Sequence, residues 1–320
     1  MSERAAALDA WLAHLACPVC GAGQSQHVMR EAGAVRCERG HAFDIARQGY
    51  VNLGASQKDV RADTAAMVMA REAMHASGAF DGIARALNAA VAARDWGEGE
   101  LRFADLAGGS GFYAARLLES LAAGGVGEPD AHARGLVLDL STAALKRAVA
   151  AHDRIAGVAA DLTKGIPLRD GSVHALVNVF GPRNGAEMRR VLARDGACFV
   201  VSPSSHHLEQ LVGELGMLQV ADDKAERVER AMQGFTVQGR ERCEEQVEFG
   251  EAQLRNIIAM GPSAHHVNGE EIAERVASLL ERAGRNTIEV TMSVDVTTFV
   301  PSDAASAAPK KMGARSSIPG

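Results

Sequence analysis

The chain has 320 residues, of which 47% are hydrophobic and 23% are charged, and its net charge is −6. This length and composition are typical of a soluble globular protein with a substantial core in one large or two modest domains. No apolar run approaches the roughly 18 residues that a membrane span requires, and the negative net charge argues against a simple nucleic-acid coat protein.

The N-terminal segment AAALDAWLAHLAC predicts a short amphipathic helix rather than a signal peptide, because Asp9 and His14 interrupt its apolar residues. Three cysteines and a histidine follow in the pattern CPVC, sixteen residues, then CERGH. Two cysteines separated by two residues supply two ligands from one turn, and a second short turn supplies the other pair, as in structural zinc sites. The sequence therefore predicts a Zn²⁺ site with the ligands Cys17, Cys20, Cys37 and His41.

The predicted metal module is locally basic, with six lysines and arginines against four acidic residues between Cys17 and Arg61. Arg36, Arg39 and Arg47 belong to this stretch. Such a distribution is compatible with RNA contact and equally with a mixed-charge solvated surface. Metal-type cysteine spacing without a targeting segment predicts a cytoplasmic location, because thiols stay reduced there.

After this module, predicted helices alternate with five mainly apolar strands, which are LRFADL, GLVLDLS, IAGVAAD, HALVNVF and ACFVVSP. This alternation predicts an α/β fold with a parallel sheet that is covered by helices on both faces. Helices near 206–219, 251–260 and 269–283 and the strands RCEEQVEFG and IEVTMSVDVTTFV complete the prediction. The predicted domains are 1–56 (N-terminal helix and metal module), 57–93 (helical linker), 94–300 (sheet domain) and 301–320 (a disordered tail).

A glycine-rich loop, DLAGGSG, lies where the first of these strands enters a helix. Glycines let a ligand approach the backbone closely, and the helix N-terminus offers free N–H groups. Asp139 ends the second strand, where a carboxylate can accept both hydroxyls of a ribose. Asp161 follows the third strand, in a position to accept an adenine amino group. Together these features favour a nucleoside-carrying cofactor, and the absence of a Lys-Ser/Thr pair excludes a P-loop. The candidate ligand residues of the loop are Asp105, Gly109, Ser110 and Gly111.

Several strings in the chain resemble one family. The most specific is GHAFDIARQGYVNL, which contains the last predicted zinc ligand; the others are DTAAMVMAREAMHASGAF, DLAGGSGFY, VLDLSTAALKRA, VFGPRNGAEMRRVL, PSSHHLEQL and AMGPSAHH. Over about residues 15–300, the chain resembles the bacterial 23S rRNA (guanine-N1)-methyltransferases, which include resistance enzymes of macrolide producers.

The resemblance implies a class I S-adenosylmethionine-dependent methyltransferase domain, Rossmann-like in fold, with an N-terminal zinc ribbon. It implies methylation of guanine N1 in a 23S rRNA hairpin, a role that extends to antibiotic self-resistance, and it suggests a homodimer. Cofactor contacts are implied for Phe80 and His207 besides Gly109, Ser110 and Asp139.

One departure from the family is Ala107, which occupies the first glycine place of the loop. Alanine adds only a methyl group, so we expect binding to survive if the backbone keeps a negative φ there.

The segment after the fourth strand is where this fold commonly shapes the acceptor pocket, which makes Pro182, Arg183 and Asn184 the candidates. Asn184 is suited to a guanine edge and Arg183 to a phosphate, although the same residues also suit a turn and a helix cap. No residue stands out as the general base. Two rival hypotheses are a methyltransferase for a small natural product and a catalytically inactive zinc-ribbon RNA-binding protein.

Overall fold

The computed structural model describes residues 3–21, 28–54, 62–123, 133–215, 223–261 and 269–302. The helices are α1 (Glu3–Asp9), α2 (Ala65–Ala76), α3 (Asp81–Ala92), α4 (Phe112–Ala123), α5 (Thr142–Ala151), α6 (Gly185–Val191), α7 (Glu209–Leu215), α8 (Lys224–Ala231), α9 (Glu251–Ala259) and α10 (Gly269–Ala283). The strands are β1 (Val28–Glu31), β2 (Ala34–Cys37), β3 (Ala42–Asp44), β4 (Val51–Asn52), β5 (Leu101–Leu106), β6 (Ala133–Asp139), β7 (Ile155–Ala159), β8 (Val173–Val179), β9 (Leu192–Pro203), β10 (Phe235–Gly250) and β11 (Thr287–Pro301).

An eight-stranded sheet forms the centre of the molecule, in the order β10-β11-β9-β8-β5-β6-β7-β4. From β9 to β4 every neighbouring pair is parallel, whereas β11 is antiparallel to both β9 and β10. The predicted α/β fold of a class I methyltransferase is confirmed. The antiparallel edge is an addition to the predicted parallel sheet, because β11 returns from α10 and inserts between β9 and β10.

The parallel strands are apolar because helices cover both of their faces. Side chains alternate between the two faces along β6, for example, so Leu136 and Leu138 join one buried cluster and Val137 the other. β10, in contrast, lies at the edge of the sheet and exposes most of its side chains. The strand begins at Phe235, earlier than the predicted start near Arg242. The sequence pattern missed this first half because its exposed residues show no apolar alternation.

The N-terminal segment packs against the central sheet. The predicted short helix is confirmed as α1, and Trp11 after it is only 1% exposed. Leu15 forms a β-bridge with Leu168, and β4 pairs in parallel with β7. A separate antiparallel sheet, β1-β2-β3, forms the ribbon itself. These contacts join the ribbon to the edge of the sheet domain over a buried apolar surface.

Most of the remaining predicted helices are confirmed. α2 and α3 lie within the predicted linker, and residues 57–61 of it lie outside the described ranges. α7 is shorter than predicted, residues 216–219 also lie outside these ranges, and α8 was not predicted. Pro301 belongs to β11, and the rest of the predicted tail, from 303, is not described. Among the described helices, none has the length and apolar character that a bilayer span needs.

Candidate functional site

The four predicted zinc ligands converge at one end of the ribbon, with all four ligand atoms within 4.8 Å of one another. His41 Nδ1 lies 3.3 Å from both Cys20 Sγ and Cys37 Sγ and 3.7 Å from Cys17 Sγ. Cys20 Sγ and Cys37 Sγ are 3.8 Å apart. A tetrahedral zinc ion with Zn–S distances near 2.3 Å requires sulfur atoms about 3.8 Å apart. The donor set therefore fits one Zn²⁺.

Two similar turns hold these ligands in place. Gly21 N donates to Cys17 O at 3.1 Å, and Gly40 N donates to Cys37 O at 2.9 Å, both glycines having positive φ. Burial opposes ionisation of the Cys37 thiol, but hydrogen bonds from His41 and Arg39 outweigh it and lower its pKa to about 6. Burial and the neighbouring thiols raise the pKa of Cys20 to about 11. The thiolate is the form that binds zinc, so Cys37 already favours the metal-binding form, whereas Cys20 needs the charge of the metal to ionise near pH 7.

A cavity of about 480 Å³ lies at the carboxyl ends of the parallel strands; we call it the central cavity. It opens beside β5, whose neighbours β6 and β8 lead the chain in opposite directions across the sheet. Ligands of open α/β sheets bind at such a switch point, and the volume suits a small-molecule cofactor. Its principal lining residues are Arg71, His75, Phe80, Asp105, Gly108, Gly109, Ser110, Tyr113, Asp139, Asp161, Thr163, Phe180, Gly181, Pro182 and Met260.

The loop between β5 and α4 forms one wall of the central cavity. A Cβ atom at Gly108 would lie 2.5 Å from Asp105 Cγ, so only glycine fits there. Gly109 N donates to Asp139 Oδ2 at 2.9 Å, and Ser141 N donates to Oδ1 at 2.7 Å. Each carboxylate oxygen keeps further acceptor capacity. Asp139 thus fixes the loop and can still accept hydrogen bonds from a ligand.

Among the residues that line the central cavity, His75 Nδ1 is buried without a hydrogen-bond partner in the described part of the chain, and so are two oxygen-bearing groups. Asp105 is fully buried with neither carboxylate oxygen hydrogen-bonded, and the Tyr113 hydroxyl is also without a partner. Burial, aided by the charge of Asp139, raises the pKa of Asp105 to about 7. Buried polar atoms are normally satisfied. These two groups therefore fit a ligand with polar atoms at this end of the cavity, as the amino-acid end of S-adenosylmethionine has.

The linker helix α2 covers the central cavity with two residues that the sequence analysis missed. Arg71 forms an ion pair with Asp63, and its Nη2 donates to Met260 O at 3.0 Å. His75 stacks on Phe112 with ring centroids 4.1 Å apart, and burial lowers its pKa to about 3, so it is neutral. The four-residue spacing of Arg71 and His75 on one helix face was the available signal.

The chain was compared with known proteins. Residues 15–59 match the family of the RlmA N-terminal zinc ribbon. A Streptomyces fradiae 23S rRNA (guanine(748)-N(1))-methyltransferase is 39% identical over 290 residues, which are 90% of this chain and 97% of that protein. A Micromonospora griseorubida protein that carries the family name is 39% identical over 84% of this chain and 93% of its own length.

The chain belongs to the 23S rRNA (guanine-N1)-methyltransferase family. The resemblance inferred from the sequence strings is thereby confirmed. A solved S-adenosylmethionine-dependent methyltransferase from Geobacter sulfurreducens, in complex with S-adenosyl-L-homocysteine, aligns with a TM-score of 0.41 at 16% identity, over 68% of this chain and 90% of that one.

Most of the predicted cofactor residues of this family member lie together. Gly111 does not line the central cavity. It lies against α5 just before α4 begins, and a Cβ atom there would lie 3.0 Å from Ala148 Cα. His207 does not line it either; its ring pairs with that of Phe180, which does line the cavity, with centroids 5.7 Å apart. The predicted residues that do line it are Phe80, Asp105, Gly109, Ser110, Asp139, Asp161 and Pro182.

The condition set for Ala107, a negative φ, is not met. Its φ is +61°, in the left-handed region, which costs a residue with a Cβ atom about 1–2 kcal/mol. Ala107 lines the central cavity, so this left-handed backbone, which glycine adopts without strain, lies where the loop meets a ligand.

Arg183 and Asn184 line a neighbouring cavity of about 360 Å³, which shares Thr163 and Pro182 with the central cavity. Asn184 Oδ1 accepts from Glu187 N at 3.3 Å and caps α6, so the helix-cap alternative holds for that oxygen. Arg183 Nε has no hydrogen-bond partner among the described residues.

Asp161 is fixed by its own turn. Its Oδ1 accepts from Thr163 N at 3.1 Å and from Thr163 Oγ1 at 2.6 Å, and Oδ2 lies 3.2 Å from Lys164 Nζ. The hydrogen bond from the Thr163 hydroxyl is the main reason why its pKa is lowered. A contact with an adenine amino group stays a prediction, for which the ionised carboxylate has the right chemistry.

Asp105 gives a pH-dependent prediction. Its folded pKa of about 7 lies above the ordinary value of 3.8, so the unfolded chain ionises first and stability falls as pH rises from about 4 to about 7. Asp105→Asn removes this ionisation while keeping the size of the side chain. In thermal unfolding without ligand, we expect the free energy of unfolding of the variant to rise relative to that of wild type over that pH interval, by about 1 kcal/mol or more at pH 8. A constant difference between the two proteins from pH 4 to 8 would contradict the assignment.

Proposed function

We propose that the protein methylates N1 of a guanine in 23S rRNA with S-adenosylmethionine as the methyl donor. One observation carries the proposal. This family member contains both a zinc-ribbon ligand set and a nucleoside-sized cavity at the switch point of the sheet. The ribbon packs beside the sheet domain, so RNA bound to it lies on the same molecule as the methyl donor.

The residues present fit the cofactor. Asp139 offers acceptors for the ribose hydroxyls, and Asp105 and Tyr113 offer the unpartnered polar atoms that the amino-acid end would satisfy. Phe80, which is 2% exposed, supplies an apolar wall. When bound, S-adenosylmethionine supplies an electrophilic methyl group on a sulfonium. The protein then has mainly to align that methyl with the acceptor nitrogen.

The acceptor side of the central cavity is the segment after β8. Pro182 lies between the central and the neighbouring cavity, so a guanine drawn out of the RNA would enter here. Arg183 is half-buried, and burial lowers its pKa while no carboxylate pairs with it among the described residues. We assign Arg183 to a contact with a phosphate next to the target nucleotide, because its guanidinium has no carboxylate partner among the described residues and an RNA phosphate can form the ion pair.

The ribbon presents further cations to RNA. Arg36 is engaged by Glu31 at 2.7 Å, whereas Arg39 and Arg47 are exposed and have no ion pair within the described ranges. These two arginines are therefore the better candidates for phosphate contacts. An rRNA hairpin as the recognised element, a homodimer and a cytoplasmic location are further parts of the proposal, as is a role in antibiotic self-resistance.

The combined variant Arg36→Ala/Arg39→Ala/Arg47→Ala should raise the KM for rRNA and leave cofactor affinity nearly unchanged, because phosphate contacts position the RNA only. Most of the effect should come from Arg39 and Arg47. The reaction should also weaken as salt increases, with a smaller salt slope in the variant. The measurement is methyl transfer against RNA concentration at several salt concentrations. The control is Arg282→Ala/Arg285→Ala, which changes one arginine in the last turn of α10 and one just after that helix. This variant should behave as wild type.

The test of the proposed substrate compares transfer of labelled methyl groups into 23S rRNA and into small-molecule extracts. Transfer into rRNA with strong salt dependence supports the proposal. Transfer into a small molecule with little salt dependence would replace it with the natural-product hypothesis. Cofactor binding without any transfer, despite RNA binding, would favour the inactive RNA-binding protein.

A further inference from the structure

Phe180 combines two unusual features. Its side chain is 40% exposed, and its φ is +56°, a conformation that is costly for a residue with a bulky side chain. Among the large hydrophobic side chains that the described residues expose, Phe180 is the one that lines the central cavity. A strained aromatic ring at the opening of a cavity calls for a functional explanation.

The surroundings keep Phe180 in this conformation. Its backbone N donates to Val201 O at 3.1 Å. The fully buried Asn178 donates from Nδ2 to Leu106 O at 3.1 Å and to Pro182 O at 3.2 Å, which ties the segment to the end of β5. Gly181 follows, and a Cβ there would lie 2.6 Å from Asn178 Nδ2. The ring is therefore held in place by a rigid loop.

One side of the Phe180 ring is supported. The His207 ring lies behind it at 5.7 Å and an angle of 38°, and His207 Nδ1 accepts from Ser293 N at 3.2 Å. Burial lowers the pKa of His207 to about 4, so the supporting ring is neutral near pH 7. Within the described chain, no other aromatic ring pairs with Phe180. Its remaining surface faces the central cavity and solvent.

We propose that Phe180 is the stacking platform for the target guanine once that base has left the RNA. The inference rests on the proposed function and deepens it. A base that leaves the RNA loses its stacking partners, and an aromatic side chain replaces them. A guanine lying on this ring would be next to the central cavity, with its plane set by a ring that His207 contacts and that a fixed backbone carries. His207 then acts as a positioning residue behind Phe180.

The test uses the full-length protein at saturating S-adenosylmethionine. Two versions of an rRNA fragment are compared, one with the unmodified target guanine and one with an abasic nucleotide in its place. Phe180→Leu keeps an apolar side chain and the same backbone strain but removes the π-face. We expect it to lower kcat/KM, and affinity for the guanine fragment, by about five- to one-hundred-fold. Affinity for the abasic fragment should stay as in wild type.

Phe180→Tyr should retain most of the activity, and Val237→Ala, an exposed apolar position on β10, should match wild type. Equal losses of affinity for both RNA fragments would overturn the proposal, as would a tyrosine variant as weak as the leucine variant. A defect that is present at low cofactor concentration but absent under the saturating conditions of the test would assign Phe180 to the cofactor wall instead and overturn the proposal. Phe180→Gly, which accepts the positive φ, gives the same comparison should the leucine variant not fold. Failure of wild type to methylate rRNA would overturn the proposed function as well.

Discussion

Asp139→Ala is expected to weaken the binding of S-adenosylmethionine at least about tenfold, since a hydrogen bond to a charged acceptor is typically worth ~1.5–3 kcal/mol. Two effects add in this position. The ribose loses its carboxylate acceptor. In addition, Gly109 N in the glycine-rich loop and Ser141 N at the start of α5 lose the carboxylate to which they donate at 2.9 and 2.7 Å. Titration calorimetry with the cofactor measures the change directly.

The matched control for this variant is Asp153→Ala, which removes an exposed aspartate just beyond the end of α5. Its cofactor affinity should equal that of wild type. RNA binding should be unchanged in both variants, because neither aspartate belongs to the ribbon. Unchanged cofactor affinity in Asp139→Ala would mean that the central cavity binds a different ligand or binds this one elsewhere.

Cys37→Ser is expected to abolish zinc binding and most of the methyl transfer to rRNA. Purified wild type should contain about one zinc per chain, as a tetrahedral site binds one ion. Serine replaces a thiolate ligand whose Sγ lies 3.3 Å from His41 Nδ1. Structural zinc supplies on the order of 10 kcal/mol to small modules, so the ribbon should unfold. The sheet domain should stay folded and keep its cofactor affinity, because most of its buried side chains come from the central strands and the helices that cover them rather than from the ribbon.

Cys243→Ser provides the comparison, because this half-buried thiol on β10 lies outside the ligand set. That variant should keep its zinc and its activity. Elemental analysis is the measurement for metal content, together with cofactor titration for the integrity of the sheet domain. Zinc-free wild type, or full zinc content in Cys37→Ser, would remove the metal assignment.

Local sequence signals predicted the parts of the molecule that depend on short-range chemistry. The zinc ligands lie in two short turns, so their spacing alone revealed them. Strands such as β6 are buried on both faces, and their apolar runs follow directly from that burial. The loop from Asp105 to Gly111 and the acids after β6 and β7 meet at one edge because parallel strands end together.

Features that depend on long-range packing were not predictable in the same way. Trp11 is buried against elements far along the chain, and the position of β11 between β9 and β10 follows from sheet topology. The strain at Ala107 and Phe180 exists only because distant residues hold these backbones. His207 was expected at the cofactor; its ring pairs with Phe180, which lines the central cavity, and no spacing in the sequence encodes that contact.

Nucleoside mass spectrometry of 23S rRNA treated with the protein and methyl-labelled S-adenosylmethionine tests methyl transfer to guanine N1 most directly, with Asp139→Ala at low cofactor concentration as the control of reduced activity. We expect labelled 1-methylguanosine and a reverse-transcription stop at the modified guanine, because a methyl group on N1 blocks base pairing. Label in another nucleoside, at another guanine atom, or absent from the rRNA while the cofactor binds would contradict this expectation.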